Sequence, residues 1–449
     1  MPTPDAPVRK LDDLLVLFHE AETPRERWLI GTEAERFAVS RPDGSPLPYD
    51  GPVSVLTIFD HLIRERGWES VQELKDGPIV ALRRGDASVT LEPGSQIELS
   101  GAPYRTVHQG KAESDAHWQE LAPIIEELGL TWLGLGCHPF AGVEELGWVP
   151  KLRYEVMREY LPTRGSMAAE MMTKTTTVQA NLDYASEEDA MRKLRVGLRT
   201  QPLVTAMFAN SPWQEGRRSG FHSYRGLVWL HMDPDRSGLL PFAWKDHPRY
   251  LDYVEWAIDA PMFLVKRGGE VYHNTGQTFR SFMNDGFQGV KANYDDWVIH
   301  LRTLFPEVRL KGTLEYRGAD AQSNEMSFAL PALWKGLLYD DRSFGRLEAL
   351  VDGWSYREVE RHRESFVRHG VRSRFLGREV TDWAGEVVEL AEAGLRRIDD
   401  QNNAGEDESV LLVPLRALLE RAECPADRLL KQIPDDLPTR ADIIALTKL

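Results

Sequence analysis

The chain has 449 residues, 42% of them hydrophobic and 28% charged, which allows a large core and excludes a disordered chain. A formal net charge of −16 with no basic run excludes a general nucleic-acid binder and argues against an anionic membrane as partner. Cys137 and Cys424, the only cysteines, stand far apart in no metal spacing, and no run of ~18 apolar residues is present, so neither a disulfide framework nor a membrane span is expected.

In chain order, Met1–Leu17 carries scattered charge and no continuous apolar core, so it is not a signal peptide and the cytoplasm is the expected location. A helix is predicted over Leu11–Glu22 and a strand over Trp28–Val39. Period-two geometry places Glu33 and Glu35 on the face of Leu29, Phe37 and Val39, where two carboxylates are costly to bury without a cation. Strands follow at Ile79–Arg84 and Ser88–Ser100. In the latter, Val89, Leu91, Ile97 and Leu99 alternate with Thr90, Glu92, Gln96, Glu98 and Ser100. Glu92 and Glu98 then point the same way, provided Pro93-Gly94 adds no bulge. A helix over Ala112–Leu128 and a strand over Thr131–Gly136 come next. The strand Thr175–Tyr184 has a polar face of Thr175, Thr177, Gln179, Asn181 and Asp183.

Ser186 and Asp189 resemble a capping box for a helix from Glu187 to about Thr200. Tyr250–Ile258 reads as a helix, and Val265–His273 as a strand pair turning at Gly268-Gly269. In the strand predicted over Val308–Gly318, Arg309, Lys311, Thr313, Glu315 and Arg317 oppose Val308, Leu310, Leu314 and Tyr316. Glu315 and Arg317 together offer a carboxylate for a metal and a guanidinium for a phosphate or carboxylate. Helices over Tyr356–His369 and Glu386–Ile398 begin an almost wholly helical C-terminal part, interrupted by the polar linker Asp399–Ser409.

Mixed strands and helices without βαβ alternation predict an α+β fold with a mostly antiparallel sheet in a single catalytic domain spanning 1–449. No phosphate-cradling glycine loop, nucleophile elbow or H-E-x-x-H motif is present, so any nucleotide must be held through metals and Arg or Lys on a sheet. Several Glu on adjacent strands suit Mg²⁺, a hard cation that takes oxygen ligands. Each strand taken alone reads more readily as an ordinary half-solvated antiparallel strand than as part of a metal site.

Longer runs carry more. IGTEAERF (Ile30–Phe37), SVTLEPGSQIELSGAPYRTVHQ (Ser88–Gln109), MMTKTTTVQANLDY (Met171–Tyr184) and FPEVRLKGTLEYRGAD (Phe305–Asp320) closely resemble the plant and proteobacterial type of glutamate–cysteine ligase. So do MFANSPWQEG, SYRGLVW and LPALWKGLLYDD, in order along nearly the whole chain. The resemblance implies a glutamine-synthetase-like fold: a curved, mostly antiparallel sheet with helices outside, a core of about 14–345 and a helical part of about 346–449. It implies an ATP- and Mg²⁺-dependent ligase that makes γ-glutamylcysteine from glutamate and cysteine through a γ-glutamyl phosphate, as a monomer or homodimer. By the same resemblance Glu33, Glu35, Glu92, Glu98, Glu315 and Gln179 are metal-site candidates and Arg225 and Arg317 catalytic cations. Arg225, Arg153 and Lys174 are candidates for binding substrate anions. The pattern departs from the family at Ala321–Phe328, which implies altered recognition of glutamate or of the amine acceptor. Lys111 and Phe328 stand where plant relatives carry cysteines, so their thiol switch is not expected.

Overall fold

A computed structural model describes residues 2–268, 270–434 and 437–449. Nine strands make one sheet: β1 (Ile30–Ser40), β2 (Glu69–Gln72), β3 (Ile79–Arg84), β4 (Ala87–Leu91), β5 (Ile97–Ser100), β6 (Leu130–Leu133), β7 (Thr177–Leu182), β8 (Val308–Leu310) and β9 (Leu314–Asp320). They are ordered β8-β9-β7-β1-β5-β4-β3-β2, with β6 also paired to β1, and every pairing is antiparallel. The long β1 serves both neighbours on one edge: Glu33–Arg36 pair with β5, then Phe37–Ser40 pair with β6.

The α+β class, the antiparallel sheet and the helical C-terminal part agree with expectation. The curved sheet does not. The pairing path runs from β8 to β2 and stops at two free ends, so the sheet is open and does not curve round a site. The outermost strand, β2, is exposed at every residue and carries Glu69, a charge that discourages further edge pairing.

Two apolar clusters cover the opposite face. Val89, Leu91, Ile97 and Leu99 pack with the helix Val55–Arg66 and with Leu121 and Ile124. Val178, Ala180, Leu182, Leu314 and Tyr316 pack against the helices Glu187–Met207 and Ala329–Leu338, and the helix Val380–Ile398 packs on Ala329–Leu338 behind them. The Glu187–Met207 helix passes through Pro202, which removes one backbone donor. It stays helical because every residue from Val196 to Met207 is buried, so tertiary packing outweighs the local cost. Ser186 caps this helix by accepting from the Asp189 amide, while the Asp189 carboxylate accepts one residue earlier than a capping box requires, from Ala185.

Two predicted strands are hairpins. Ser88–Ser100 divides into β4 and β5 around a turn at Glu92–Gln96, with Ser95 at φ 69°. Val308–Gly318 divides into β8 and β9, so Arg309 lies directly across from Glu315. The helix expected at Ala112 begins at Val107 behind a Thr106–Gln109 capping box, and the one expected at Glu386 begins at Val380. The pair Val265–Arg267 and Glu270–Tyr272 forms as expected; Gly268 takes φ 56°, and Gly269 lies outside the described residues.

Candidate active site

Alternation along the strands sends one parity into the apolar clusters and the other toward a cavity of about 490 Å³ on the free face. From β1 come Glu33 and Glu35, from the β4–β5 hairpin Thr90, Glu92, Gln96 and Glu98, and from β7 Thr177 and Gln179. Arg309, Lys311 and Arg317 reach it from the β8–β9 hairpin. The facing wall is not sheet. It consists of Arg153, Tyr154 and Met157 on the helix Leu152–Tyr160, Met171, Met172 and Thr175, Arg225 and Trp229 on the helix Tyr224–Leu230, and Arg302, Thr303 and Phe305.

The carboxylates fall into two electrostatic groups. Glu35, Glu92 and Glu98 each present an oxygen within 4.8 Å of the others'. Burial, then repulsion from Glu92, raises Glu35 well above the ordinary carboxylate range, and the same two causes raise Glu98. Glu33, whose Oε1 accepts from Asn181 at 2.9 Å, is pushed up to about 7, chiefly by burial. Glu315 behaves oppositely. Burial pushes it up, but Arg309 (2.6 and 3.0 Å), Lys311 (2.5 Å) and Arg317 (2.8 Å) outweigh that and hold it well below the usual range.

The cations are equally structured. Arg317 donates from Nη1 to both Gln179 and Glu315, at 2.7 and 2.8 Å. Arg225 is fully buried and donates to the Gly318 and Arg317 carbonyls at 3.3 and 2.8 Å. The two guanidinium carbons lie 5.8 Å (Arg225) and 5.7 Å (Arg317) from the Trp229 ring centre. Arg153 donates to the Tyr154 hydroxyl at 3.1 Å. Lys174 is placed elsewhere: it is buried and pairs with Glu215 at 3.2 Å, and it does not line this cavity. The structure thus gathers nine of the ten sequence candidates around one space, eight of them lining it and Glu315 braced beneath by its three cations.

Sequence reasoning gave Arg302, Arg309 and Lys311 no role. Arg309 and Lys311 share the parity of Glu315 and Arg317, and a hairpin reading of the segment would have placed Arg309 opposite Glu315. Arg302 follows the helix Tyr294–Leu301 and carries no periodic signal. The expectation for Ala321–Phe328 is also corrected. Gln322, Ser323, Glu325 and Met326 line a different cavity of about 290 Å³ beside Leu446–Leu449, and among the described residues none of this segment lines the larger one.

A divalent cation fits the residues present. Three carboxylates from separate side chains, Glu35 and Glu98 buried and Glu92 partly exposed, crowd together and repel, and hard oxygen ligands of this kind suit Mg²⁺. Six cationic and four carboxylate side chains line one cavity of a protein with net charge −16, a concentration that suits a polyphosphate held with metal.

The model of glutamate–cysteine ligase family 2 (GCS2) matches residues 29–443. The chain belongs to this family. Glutamate–cysteine ligase B, chloroplastic, of Oryza sativa subsp. japonica is 39% identical over 422 residues, covering 93% of this chain and 83% of the relative. The chloroplastic glutamate–cysteine ligase of Arabidopsis thaliana is 38% identical over 423 residues, 94% of this chain and 79% of the relative. Among solved structures, the glutamate–cysteine ligase of Francisella tularensis in complex with AMP superposes with a TM-score of 0.55 at 11% identity. The match covers 93% of this chain and 86% of that one, a likeness of fold. The relatives' names correct the cytoplasmic expectation, since these family members are chloroplast proteins and an N-terminus without a secretory pattern does not decide among compartments. Among the described residues, no helix is long and apolar enough to cross a membrane.

Proposed function

We propose that the cavity walled by β1, β5, β7 and β9 is where this glutamate–cysteine ligase performs its reaction, the ATP- and Mg²⁺-dependent formation of γ-glutamylcysteine from glutamate and cysteine. The observation that carries the assignment is the juxtaposition of a mutually repelling carboxylate trio with a ring of Arg and Lys in one space. A carboxylate is a poor acyl donor, so the reading includes activation of the glutamate γ-carboxylate as an acyl phosphate that the cysteine amine then attacks. Mg²⁺, held by Glu35, Glu92 and Glu98 with Glu33 and Gln179 beside them, would supply charge neutralisation between phosphate oxygens.

The remaining work belongs to the chain's own side chains. Arg317, braced by Glu315 and Gln179, is aimed at the transferred phosphoryl group. Arg225, anchored on two carbonyls and packed by Trp229, and Arg153 on the facing wall would hold substrate carboxylates. Glu315 serves this arrangement by holding Arg309, Lys311 and Arg317 on one side of the cavity, the role its three ion pairs favour. We further propose a single catalytic unit, 1–449, acting as monomer or homodimer. The core of about 14–345 and the helical part of about 346–449 share one apolar cluster running from Val8 to Ala426.

The test is Glu98→Gln. It keeps the shape and removes one donor charge. ADP release with glutamate and cysteine should fall by about 10²-fold or more, with unchanged or raised thermal stability in chelator because a repelling charge is gone. Undiminished ADP release would remove Glu98 from the site.

A further inference from the structure

Away from this cavity, a second group of ligand-type side chains joins the helical C-terminal part to the segment entering the Tyr224–Leu230 helix. His222, Cys424 and Asp427 present a ring nitrogen, a thiol sulfur and a carboxylate oxygen all within 4.8 Å of one another. Cys424 is fully buried, the Asp427 side chain is 3% exposed and the His222 side chain 17%, so the cluster is internal with one wet corner at the imidazole.

The imidazole sets the question. His222 Nδ1 lies 2.7 Å from the Arg368 carbonyl oxygen, an acceptor only, so Nδ1 must carry the hydrogen. In a neutral ring Nε2 is then a lone pair, and it faces Asp427 Oδ1 at 3.0 Å, where two acceptors would confront each other. Something positive must occupy that gap, either a second ring proton or a metal ion. A backbone carbonyl behind the other ring nitrogen is the usual support of a metal-bound histidine. Cys424 Sγ, which without a metal donates its hydrogen to Asp427 Oδ2 at 3.3 Å, places a third ligand atom beside that gap.

We propose that His222, Cys424 and Asp427 form a three-ligand binding site for zinc, with the fourth position open to water at the exposed side of the imidazole. Sulfur and nitrogen donors exclude Mg²⁺ and suit a d¹⁰ borderline cation. The neighbouring charges permit it. Arg372 Nη2 lies 3.1 Å from Asp427 Oδ1. A divalent ion with a thiolate carries the same net charge beside Arg372 as an imidazolium with a neutral thiol. Burial raises the empty-site thiol, so metal uptake releases a proton from Cys424. Bound zinc would tie the helix Pro425–Gln432 to the residues just before Ser223, the N-cap of the helix bearing Arg225.

Full-length protein stripped with chelator and returned to saturating MgCl₂, which occupies the carboxylate site, is titrated with ZnCl₂ and separately with CoCl₂. One equivalent of zinc retained through desalting, and a near-ultraviolet thiolate-to-cobalt charge-transfer band, are expected. Cys424→Ser, which replaces the N-cap thiol with a hydroxyl, should lose the band, and both it and His222→Gln should bind zinc roughly tenfold or more weakly. Far-UV circular dichroism verifies that the variants fold. Substoichiometric zinc, a missing thiolate band in the parent, or equal zinc affinity in both variants would overturn the proposal and leave an imidazolium–aspartate pair in its place.

Discussion

At the scale of residues, the site depends on side chains that never touch its cavity. Asp320 is completely buried and does not line it. Its Oδ2 accepts from the Asn210 amide at 2.8 Å and the Ser211 hydroxyl at 2.6 Å, and its Oδ1 accepts from the Ser223 hydroxyl at 2.8 Å. With both hydroxyl hydrogens committed to Asp320, the oxygen lone pairs turn to the helix N-terminus. Ser211 accepts from the Arg225 amide at 3.1 Å and Ser223 from Gly226 at 2.8 Å. One carboxylate therefore fixes the start of the helix that carries Arg225. Asp320→Asn puts amide hydrogens against one of those hydroxyls, at a cost of about 1–3 kcal/mol, and loosens that helix end. The expected result is a rise in KM for the substrate held by Arg225, larger than the loss in kcat, in initial-rate ADP assays. Wild-type KM in a folded variant would show that Arg225 needs no such support.

At the scale of elements, the site hangs on turns. The Glu92–Gln96 turn approaches the helix Ala168–Lys174 so closely that a Cβ on Gly94 would sit 2.4 Å from the Thr173 carbonyl oxygen and 2.7 Å from its Cα, both backbone atoms with no room to yield. Gly94→Ala must lift the turn and Glu92 with it. Mg²⁺ dependence of the rate should shift to higher concentration by about tenfold or more, while the thermal midpoint falls only modestly; an unaltered Mg²⁺ dependence would show that the turn is free to move. The same turns mark the limit of what sequence alone made legible. Which residues face the cavity was readable in β1, β4, β5 and β7, because a period of two survives any error in the strand ends. The breaks at Glu92–Gln96 and Lys311–Thr313 were not, since polar residues continue the alternation through both hairpins. The Arg309–Glu315 pairing was hidden with them. Sheet curvature and the placement of Ala321–Phe328 depend on which elements stack beside one another, which no local pattern encodes.

At the scale of the whole molecule, burial also sets the response to acid. His117, His138 and His300 are buried, and burial lowers them to about 4, 3 and 3 respectively. His138 shows the cause in its bonds: Nδ1 accepts from the Phe140 and Ala141 amides at 3.3 and 3.0 Å, so it cannot take a proton without breaking both. In the unfolded chain the same ring titrates near 6.5. Between about 6.5 and 3 the unfolded state therefore binds a proton at this position and the folded state does not. Stability is fully present above the unfolded value and is lost as pH falls, by about 1.4 kcal/mol per pH unit for each such histidine. Other groups titrate in the same range, so the informative quantity is a difference. His138→Gln can keep an acceptor toward the two amides and removes the titration. Denaturant midpoints for the parent and the variant in saturating MgCl₂ should therefore converge, or cross in favour of the variant, as pH falls from 7.5 to 5. The stability gap should close by about 1.4 kcal/mol per unit below 6. Parallel pH curves for the two proteins would show that His138 takes up a proton in the folded state, and that its two amide bonds do not survive acid.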